Sequence, residues 1–303
     1  MQNGVRCTWH LNRDCNFKCT YCYVSKARDL KGQRGHGADK DIAAFKKNAI
    51  NWSSILMSGG EPFMYPRYVE LCKKLTAFSD IEINTNCSTP NVYDFADTID
   101  PKKVREFHVS LHLGQRPESR WEPLADKVTY LQEKGFPVRV TEVLHPTLIS
   151  GYTEAYAYFK KKGICVVPKV FEGIYNYRMY PPAYSQSQRE FFRKKSRACN
   201  EEPPALLDGF LDWSGKTCDA GYRFFQIQYN GDAFRCQAEK TYLGNLYAGD
   251  ITLDKRPRAC NTPICTCAYE GLQHAHGKPQ IHTRTPFKEY ALKTGEYLLG
   301  KLR

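Results

Sequence analysis

From Val5 to about Phe171, short runs of β-branched and aromatic residues alternate with longer stretches whose apolar positions recur every three or four residues. The short runs predict strands at Val5–Leu11, Ser54–Met57, Ile81–Asn84, Phe107–Leu113, Val138–Leu144 and Cys165–Val170. The amphipathic stretches predict helices near Asp41–Ile50, Arg67–Phe78, Val92–Thr98, Pro123–Lys134 and Thr153–Lys162. Gly135 and Gly163, each preceded by lysine, mark the ends of the last two helices. Strands joined by helical crossovers of this length require a parallel sheet wound right-handed. The class is α/β; six strands fit an open sheet or a partial barrel, and periodicity leaves that choice open.

After Phe171 the pattern changes. Tyr175–Ser185 is rich in tyrosine and proline, Arg189–Arg197 is a basic amphipathic segment, and Pro203–Pro204 reads as a linker. Leu206–Glu270 carries hairpin signals, notably Tyr229-Asn230-Gly231-Asp232 between apolar flanks. A helix is expected at Phe287–Leu299. The division expected is 1–171 for the α/β unit, 172–205 for an aromatic and basic connector, and 206–303 for a small cysteine-rich α+β domain with the terminal helix. No internal repeat or low-complexity tract interrupts it.

With 303 residues, 42% hydrophobic and 25% charged, the composition excludes disorder, collagen-like repeats and a disulfide mini-scaffold. The longest apolar run, Ala155–Phe159, is far below the roughly 18–20 residues of a membrane helix. Met1 to Leu11 has no signal-peptide core, so a soluble cytoplasmic protein without a membrane partner is expected. Lys+Arg 44 against Asp+Glu 32 gives +12, which suits anionic partners but equally describes a lysine-rich solvated surface. The 13 cysteines stand out. An odd number without a secretory signal points to metal-bound or buried thiols rather than a disulfide framework.

Cys15, Cys19 and Cys22 lie just after the first predicted strand, in Asp14-Cys-Asn-Phe-Lys-Cys-Thr-Tyr-Cys-Tyr23. The carboxyl end of a parallel strand is where open α/β sheets place ligands. Three thiolates this close can hold one iron–sulfur cube and leave one iron without a protein ligand. The competing readings are a zinc site or buried thiols. Zinc sites of the structural kind close with four ligands, and no nearby Cys or His has the spacing to complete one.

The spacing C-x3-C-x2-C, with Tyr21 before the last cysteine, resembles the signature of the radical S-adenosylmethionine (AdoMet) superfamily. Met57-Ser-Gly-Gly-Glu-Pro62 resembles that family's GGE motif at the end of the second strand. Weaker matches are Asn84-Thr85-Asn86, Ser110 and Arg139. The likeness spans roughly residues 5–171. It implies a partial (βα)6 barrel and a 4Fe–4S cluster on Cys15, Cys19 and Cys22, whose open iron chelates AdoMet. Reductive cleavage of AdoMet to a 5′-deoxyadenosyl radical would follow, with oxygen sensitivity and a reducing partner such as flavodoxin or ferredoxin. The implied cofactor contacts are Tyr21, Ser58, Gly59, Gly60, Glu61 (to the methionine amino group), Asn84 (to the ribose), and Ser110 and Arg139 (to the carboxylate).

A second group comprises Cys218, Cys236, Cys260, Cys265 and Cys267. Gly231-Asp-Ala-Phe-Arg-Cys236 followed by Cys260-Asn-Thr-Pro-Ile-Cys265-Thr-Cys267 resembles the auxiliary-cluster twitch domain, a shorter relative of the SPASM domain. The final spacing departs from the usual C-x2-C and the seven-cysteine pattern is absent. The likeness therefore implies one auxiliary 4Fe–4S cluster, on Cys218, Cys236 and two of the last three. The spare thiol among Cys260, Cys265 and Cys267 is a candidate hydrogen-atom donor to a substrate radical. A structural zinc ribbon is the alternative. Cys7, Cys72 and Cys165 are expected in the core.

For the substrate, the tyrosines and basic residues between Tyr175 and Arg197 suit either a packed connector or a nucleobase-binding strip. His112, Glu142, Lys169 and Glu172, near strand ends, are candidates to face a substrate. The signature starts at residue 15, so no peptide-recognition domain is expected ahead of it, which lowers the expectation of ribosomal-peptide maturation. A small polar, sugar- or nucleotide-like substrate undergoing epimerisation, dehydrogenation, elimination or rearrangement is the leading expectation. Radical modification of a peptide or of a base in nucleic acid comes second. A non-catalytic iron–sulfur or zinc protein that binds nucleic acid comes third, and Glu61 within its Gly-Gly-Glu motif argues against it.

Overall fold

The computed structural model of the chain describes residues 4–22, 36–262, 265 and 273–283. Cys267 and the segment Phe287–Leu299 lie outside them.

Six parallel strands form in chain order: β1 (Val5–Asn12), β2 (Trp52–Gly59), β3 (Asp80–Thr85), β4 (Val104–Ser110), β5 (Val138–Val143) and β6 (Val166–Lys169). Between them lie α1 (Ala38–Lys47), α2 (Tyr68–Leu75), α3 (Asn91–Thr98), α4 (Trp121–Glu133) and α5 (Ile149–Lys161). Gly135 and Gly163 take the left-handed conformation that ends α4 and α5, at φ +88° and +75°. β4 stops at Ser110, short of the expected Leu113, because His112 turns left-handed (φ 54°) and carries the chain out of the sheet.

The strands bury one face against these helices. Cys7, Trp9 and Leu11 of β1, Ile55 and Met57 of β2, Ile81 and Ile83 of β3 and Phe107 and Val109 of β4 pack with Phe45, Leu71, Phe95, Leu124 and Phe159. Trp9 meets Phe45 edge-on at 5.0 Å, and Phe95 meets Phe107 at 5.5 Å. The alternate residues are polar: Arg6, Thr8, His10, Ser54, Glu82, Asn84, Glu106, His108, Ser110, Arg139, Thr141 and Lys169. A parallel sheet normally carries apolar residues on both faces. Here the second face is mostly polar, with Leu56, Val143 and Val167 as its apolar members.

After β6 come a short hairpin, β7 (Gly173–Tyr175) with β8 (Arg178–Tyr180), and α6 (Gln186–Arg197), started by a capping box of Ser185 and Gln188. The connector is largely packed. Tyr180 and Tyr184 are buried, Arg189 donates to four backbone carbonyls, Arg193 pairs with Asp208, and Lys195 lies over Tyr156. Cys165 departs from expectation: it is half-buried and disulfide-bonded to Cys199 just beyond α6. Cys7 and Cys72 are buried, as expected.

β9 (Phe210–Asp212), β10 (Thr217–Cys218), β11 (Phe224–Ile227), β12 (Asp232–Phe234), β13 (Tyr242–Asn245), β14 (Arg258–Ala259) and β15 (Gln280–His282) complete the described chain. β11 pairs parallel to β1, and β11, β12 and β13 run antiparallel, giving the order β13-β12-β11-β1-β2-β3-β4-β5-β6. The expected hairpin at Asn230-Gly231 joins β11 to β12. This later segment adds three strands to the sheet of the first, because β1 would otherwise expose an unpaired edge.

The turn after β13 docks on α1. Asn48 bridges the Ala44 and Leu246 carbonyls, while Tyr247 and Tyr65 both donate to the buried Asp41 carboxylate. Burial raises Asp41 from 3.8 to about 6, against the pull of both tyrosines. Its ionised form is the penalised one, so its stabilisation is complete below the unfolded value of 3.8 and is lost as pH climbs through about 6. Wild type should lose up to about 3 kcal/mol over that window, and Asp41→Asn should flatten the loss in urea titrations at pH 4 to 7.

Candidate functional site

The first cysteine group sits on the loop leaving the carboxyl end of β1. Cys22 N–H bonds to the Cys19 carbonyl at 3.1 Å. Burial, then the charges of Cys22 and Cys15, push the Cys19 thiol up to about 12, so the three sulfurs share one neighbourhood. Hydrogen-bonding groups surround them: Phe17 N–H lies 3.4 Å from Cys15 Sγ, Asn86 Nδ2 3.9 Å from the same sulfur, and His112 Nδ1 3.4 Å from Cys19 Sγ. Three thiols ringed by hydrogen-bonding groups fit a cluster held at three corners. Among the described residues, no three His, Cys, Asp or Glu side chains are grouped to hold a single metal ion.

Gly59 and Gly60 explain how β2 supports that loop. A Cβ on Gly60 would lie 2.0 Å from the Asp14 carbonyl oxygen, and one on Gly59 2.4 Å from that of Asn12. The Gly60 and Glu61 amides donate to the Asn12 and Asp14 carbonyls at 3.0 and 2.7 Å, and Asn12 Nδ2 returns a bond to the Glu61 carbonyl. The motif thus lets two backbones touch directly beneath Cys15. Asn12 was not singled out from the sequence, although its place three residues before Cys15 was the available signal.

Glu61 corrects an expectation. Its carboxylate is buried and takes three donors: Thr85 Oγ1 at 2.5 Å, Phe63 N–H at 3.1 Å and Asn86 N–H at 2.7 Å. Burial pushes it up to about 6 while these bonds pull the other way. So engaged, it braces β2 against β3 instead of presenting itself to an ammonium group. Arg139 is the second correction. It lies near the amino end of β5, opposite the cysteine loop, where it makes a double hydrogen bond to Glu201 (2.9 and 3.1 Å) and faces Glu106 at 3.8 Å. Arg139→Met should lower stability by about 1 kcal/mol, as for a half-exposed pair, while AdoMet affinity in equilibrium dialysis stays unchanged.

Asn84 and Ser110 sit on the polar face, and Ser58 pairs with His10 in the β1–β2 register. Tyr21 Oη lies 3.0 Å from His112 Nδ1, and its ring stacks on His112 and His145. Burial pushes His112 down to about 4, which keeps it neutral. Glu142 is buried beside them. Its Oε2 accepts Leu113 N–H at 3.1 Å, its Oε1 has no hydrogen-bond partner among the described residues, and burial pushes it up to about 8. Arg116, also missed, bonds the Leu111 and Asn86 carbonyls and lies over Phe17. Nothing in its spacing marks it.

In the second group, Cys218, Cys236, Cys260 and Cys265 act on one another. Burial raises Cys218 first, with Cys260 and Cys265 adding to it; burial pushes Cys236 up to about 12, with Cys265 contributing. Cys260 is stitched to the chain before β10 by paired backbone bonds with Gly215 and Lys216, and Cys265 N–H bonds the Leu211 carbonyl. Arg13, next to the first loop, lies 4.0 Å over the Tyr229 ring at the β11–β12 turn.

Residues 9–157 match the family model described as the Radical SAM superfamily. No curated protein matches the chain significantly. Among solved structures, native anSMEcpe with bound AdoMet aligns with a TM-score of 0.59 at 18% identity, over 82% of this chain and 78% of that one. Streptococcus suis SuiB bound to S-adenosylmethionine aligns at 0.56 and 18%, over 82% of this chain and 64% of that one. SuiB bound to its precursor peptide SuiA aligns at 0.55 and 17%, over 82% and 63%. At these identities the likeness shows the fold. The chain thus carries a radical SAM superfamily domain, running from β1 into α5 on a six-stranded parallel sheet like that family's partial barrel.

Proposed function

We propose that this chain is a radical SAM enzyme acting on a small polar substrate held inside the barrel, with a second cluster on its later cysteines. The observation that carries the reading is the placement of Cys15, Cys19 and Cys22 on one loop after β1, seated on Gly59 and Gly60. When bound, a 4Fe–4S cluster with AdoMet supplies a 5′-deoxyadenosyl radical that removes a hydrogen atom from the substrate. The chain's own part is to fix and shield. Asn86, His112 and the Phe17 amide surround the sulfurs, Tyr21 and His145 cover the loop, and Asn84, Ser58 and Ser110 offer polar groups to AdoMet. A one-electron donor of the flavodoxin or ferredoxin kind is the reducing partner.

Cys218, Cys236, Cys260 and Cys265 would hold the auxiliary cluster; Cys267, outside the described residues, is left as the candidate hydrogen donor. Reconstituted protein should carry about eight irons, four per cluster. Cys236→Ala should fall to about four irons yet still form 5′-deoxyadenosine. An iron-replete, fully active Cys236→Ala protein would remove the second cluster from the account. A peptide substrate is the second reading, favoured because SuiB is described with its precursor peptide and anSMEcpe with a Kp18Cys peptide.

A further inference from the structure

The turn that follows β4 grips the middle of the cysteine loop. Gln115 Oε1 accepts the Lys18 amide at 2.8 Å. The His112 ring meets Phe17 edge-on at 5.8 Å and stacks on Tyr21 at 6.2 Å. Its Nδ1 lies 3.4 Å from Cys19 Sγ and 3.0 Å from Tyr21 Oη. Four residues of the segment Phe17–Tyr21 are thus held from one turn, with the ring nitrogen against a cluster ligand.

That placement strains the backbone. His112 has φ 54° and ψ 60°, a left-handed conformation that a residue with a Cβ adopts only when its surroundings impose it. The surroundings do so here. The His112 carbonyl accepts the Gln115 amide at 2.8 Å, and the Leu113 amide donates to the buried Glu142 carboxylate at 3.1 Å. Strain fixed from both sides points to a side chain whose direction matters.

The ring proton follows from what Nδ1 faces. A thiolate that ligates iron offers only lone pairs, so a bare Nδ1 would set two acceptors against each other. With its proton, Nδ1 has two acceptors within reach, Cys19 Sγ and Tyr21 Oη. We propose that His112 donates Nδ1–H to the Cys19 sulfur and thereby raises the reduction potential of the cluster on Cys15, Cys19 and Cys22. Adding one electron from the low-potential donor makes the sulfurs more negative, so an N–H donor binds the reduced state more strongly. No proton is transferred; it stays on the ring. His112 acts through Cys19, as a positioning residue, and the assignment rests on the radical SAM reading of the same loop.

The test uses the whole chain, reconstituted with iron and sulfide without air, as wild type, His112→Phe and His112→Asn. Phenylalanine keeps the stacking and removes the donor. Asparagine puts an amide N–H where Nδ1 stands and tolerates the left-handed backbone. Potentiometric titration followed by EPR reads the signal that responds to AdoMet. At the wild-type midpoint, the reduced-to-oxidised ratio of His112→Phe should be about threefold to tenfold lower, a tenfold change being about 59 mV for one electron. His112→Asn should recover most of that loss. Wild type grown on isotope-labelled histidine should show a weak nitrogen coupling in pulsed EPR of the reduced protein, absent from His112→Asn. An iron-replete His112→Phe protein with the wild-type midpoint overturns the proposal. So does a wild type without the histidine coupling. Should His112→Phe fail to take up iron, the coupling decides, its presence sustaining the bond to Cys19 and its absence refuting it. Failure of the underlying reading looks different: no EPR signal of any form, wild type included, would respond to AdoMet.

Discussion

Alanine at Cys15, Cys19 or Cys22 is expected to strip about four of about eight irons and to take 5′-deoxyadenosine formation below detection. The loss is large because each sulfur fills a different corner of one cluster, so two cannot substitute for three. The second group, on β10 and the chain around β12 and β14, should keep its iron in all three variants. Iron analysis with chromatography of the nucleoside product checks this. A variant retaining both full iron and full cleavage would show that its thiol is not a ligand.

Gly60→Ala is expected to be nearly as damaging to activity without removing any ligand. Its Cβ would sit 2.0 Å from the Asp14 carbonyl oxygen and 2.5 Å from the carbonyl carbon, both backbone atoms that cannot rotate aside. Overpacking of this kind costs about 1–3 kcal/mol, equivalent to a Tm lower by roughly 2–10 °C at this chain length. The displaced segment carries Cys15, so AdoMet cleavage should fall by more than about tenfold, a loss of at least about 1.4 kcal/mol in effective transition-state stabilisation. Gly151→Ala is the control. A Cβ there meets nothing within 4 Å, and the position is helical, so stability should hold or rise slightly. Thermal melts and product assays on both variants separate a steric role of the glycine from a general sensitivity to substitution.

Much of the barrel was legible because its signals are local. β1 to β6 fall where short β-branched runs predict them, and Gly135 and Gly163 end helices for the reason the sequence suggests. The pairing of β11 with β1 was not legible, since nothing in Phe224–Ile227 names a partner more than two hundred residues away. The same limit governed the site. Cys15, Cys19 and Cys22 are grouped by short spacing alone, and Gly59-Gly60 by its motif. The roles of Glu61 and Arg139 depended on which donors and acids the fold brings to them. Phe63, Thr85 and Asn86 occupy Glu61, and Glu201, from beyond α6, claims Arg139. Cys165 looked like a core residue because its neighbours Val166 and Val167 are buried, whereas its own side chain meets Cys199.

The most direct measurement is an anaerobic assay of the whole chain, reconstituted with iron and sulfide, reduced with dithionite and given AdoMet. The account predicts methionine and 5′-deoxyadenosine in equal amounts, with the EPR signal of the reduced cluster shifting when AdoMet is added. Protein fully loaded with iron that yields neither product and shows no spectral response, or protein that takes zinc at Cys15, Cys19 and Cys22 in place of iron, would contradict it.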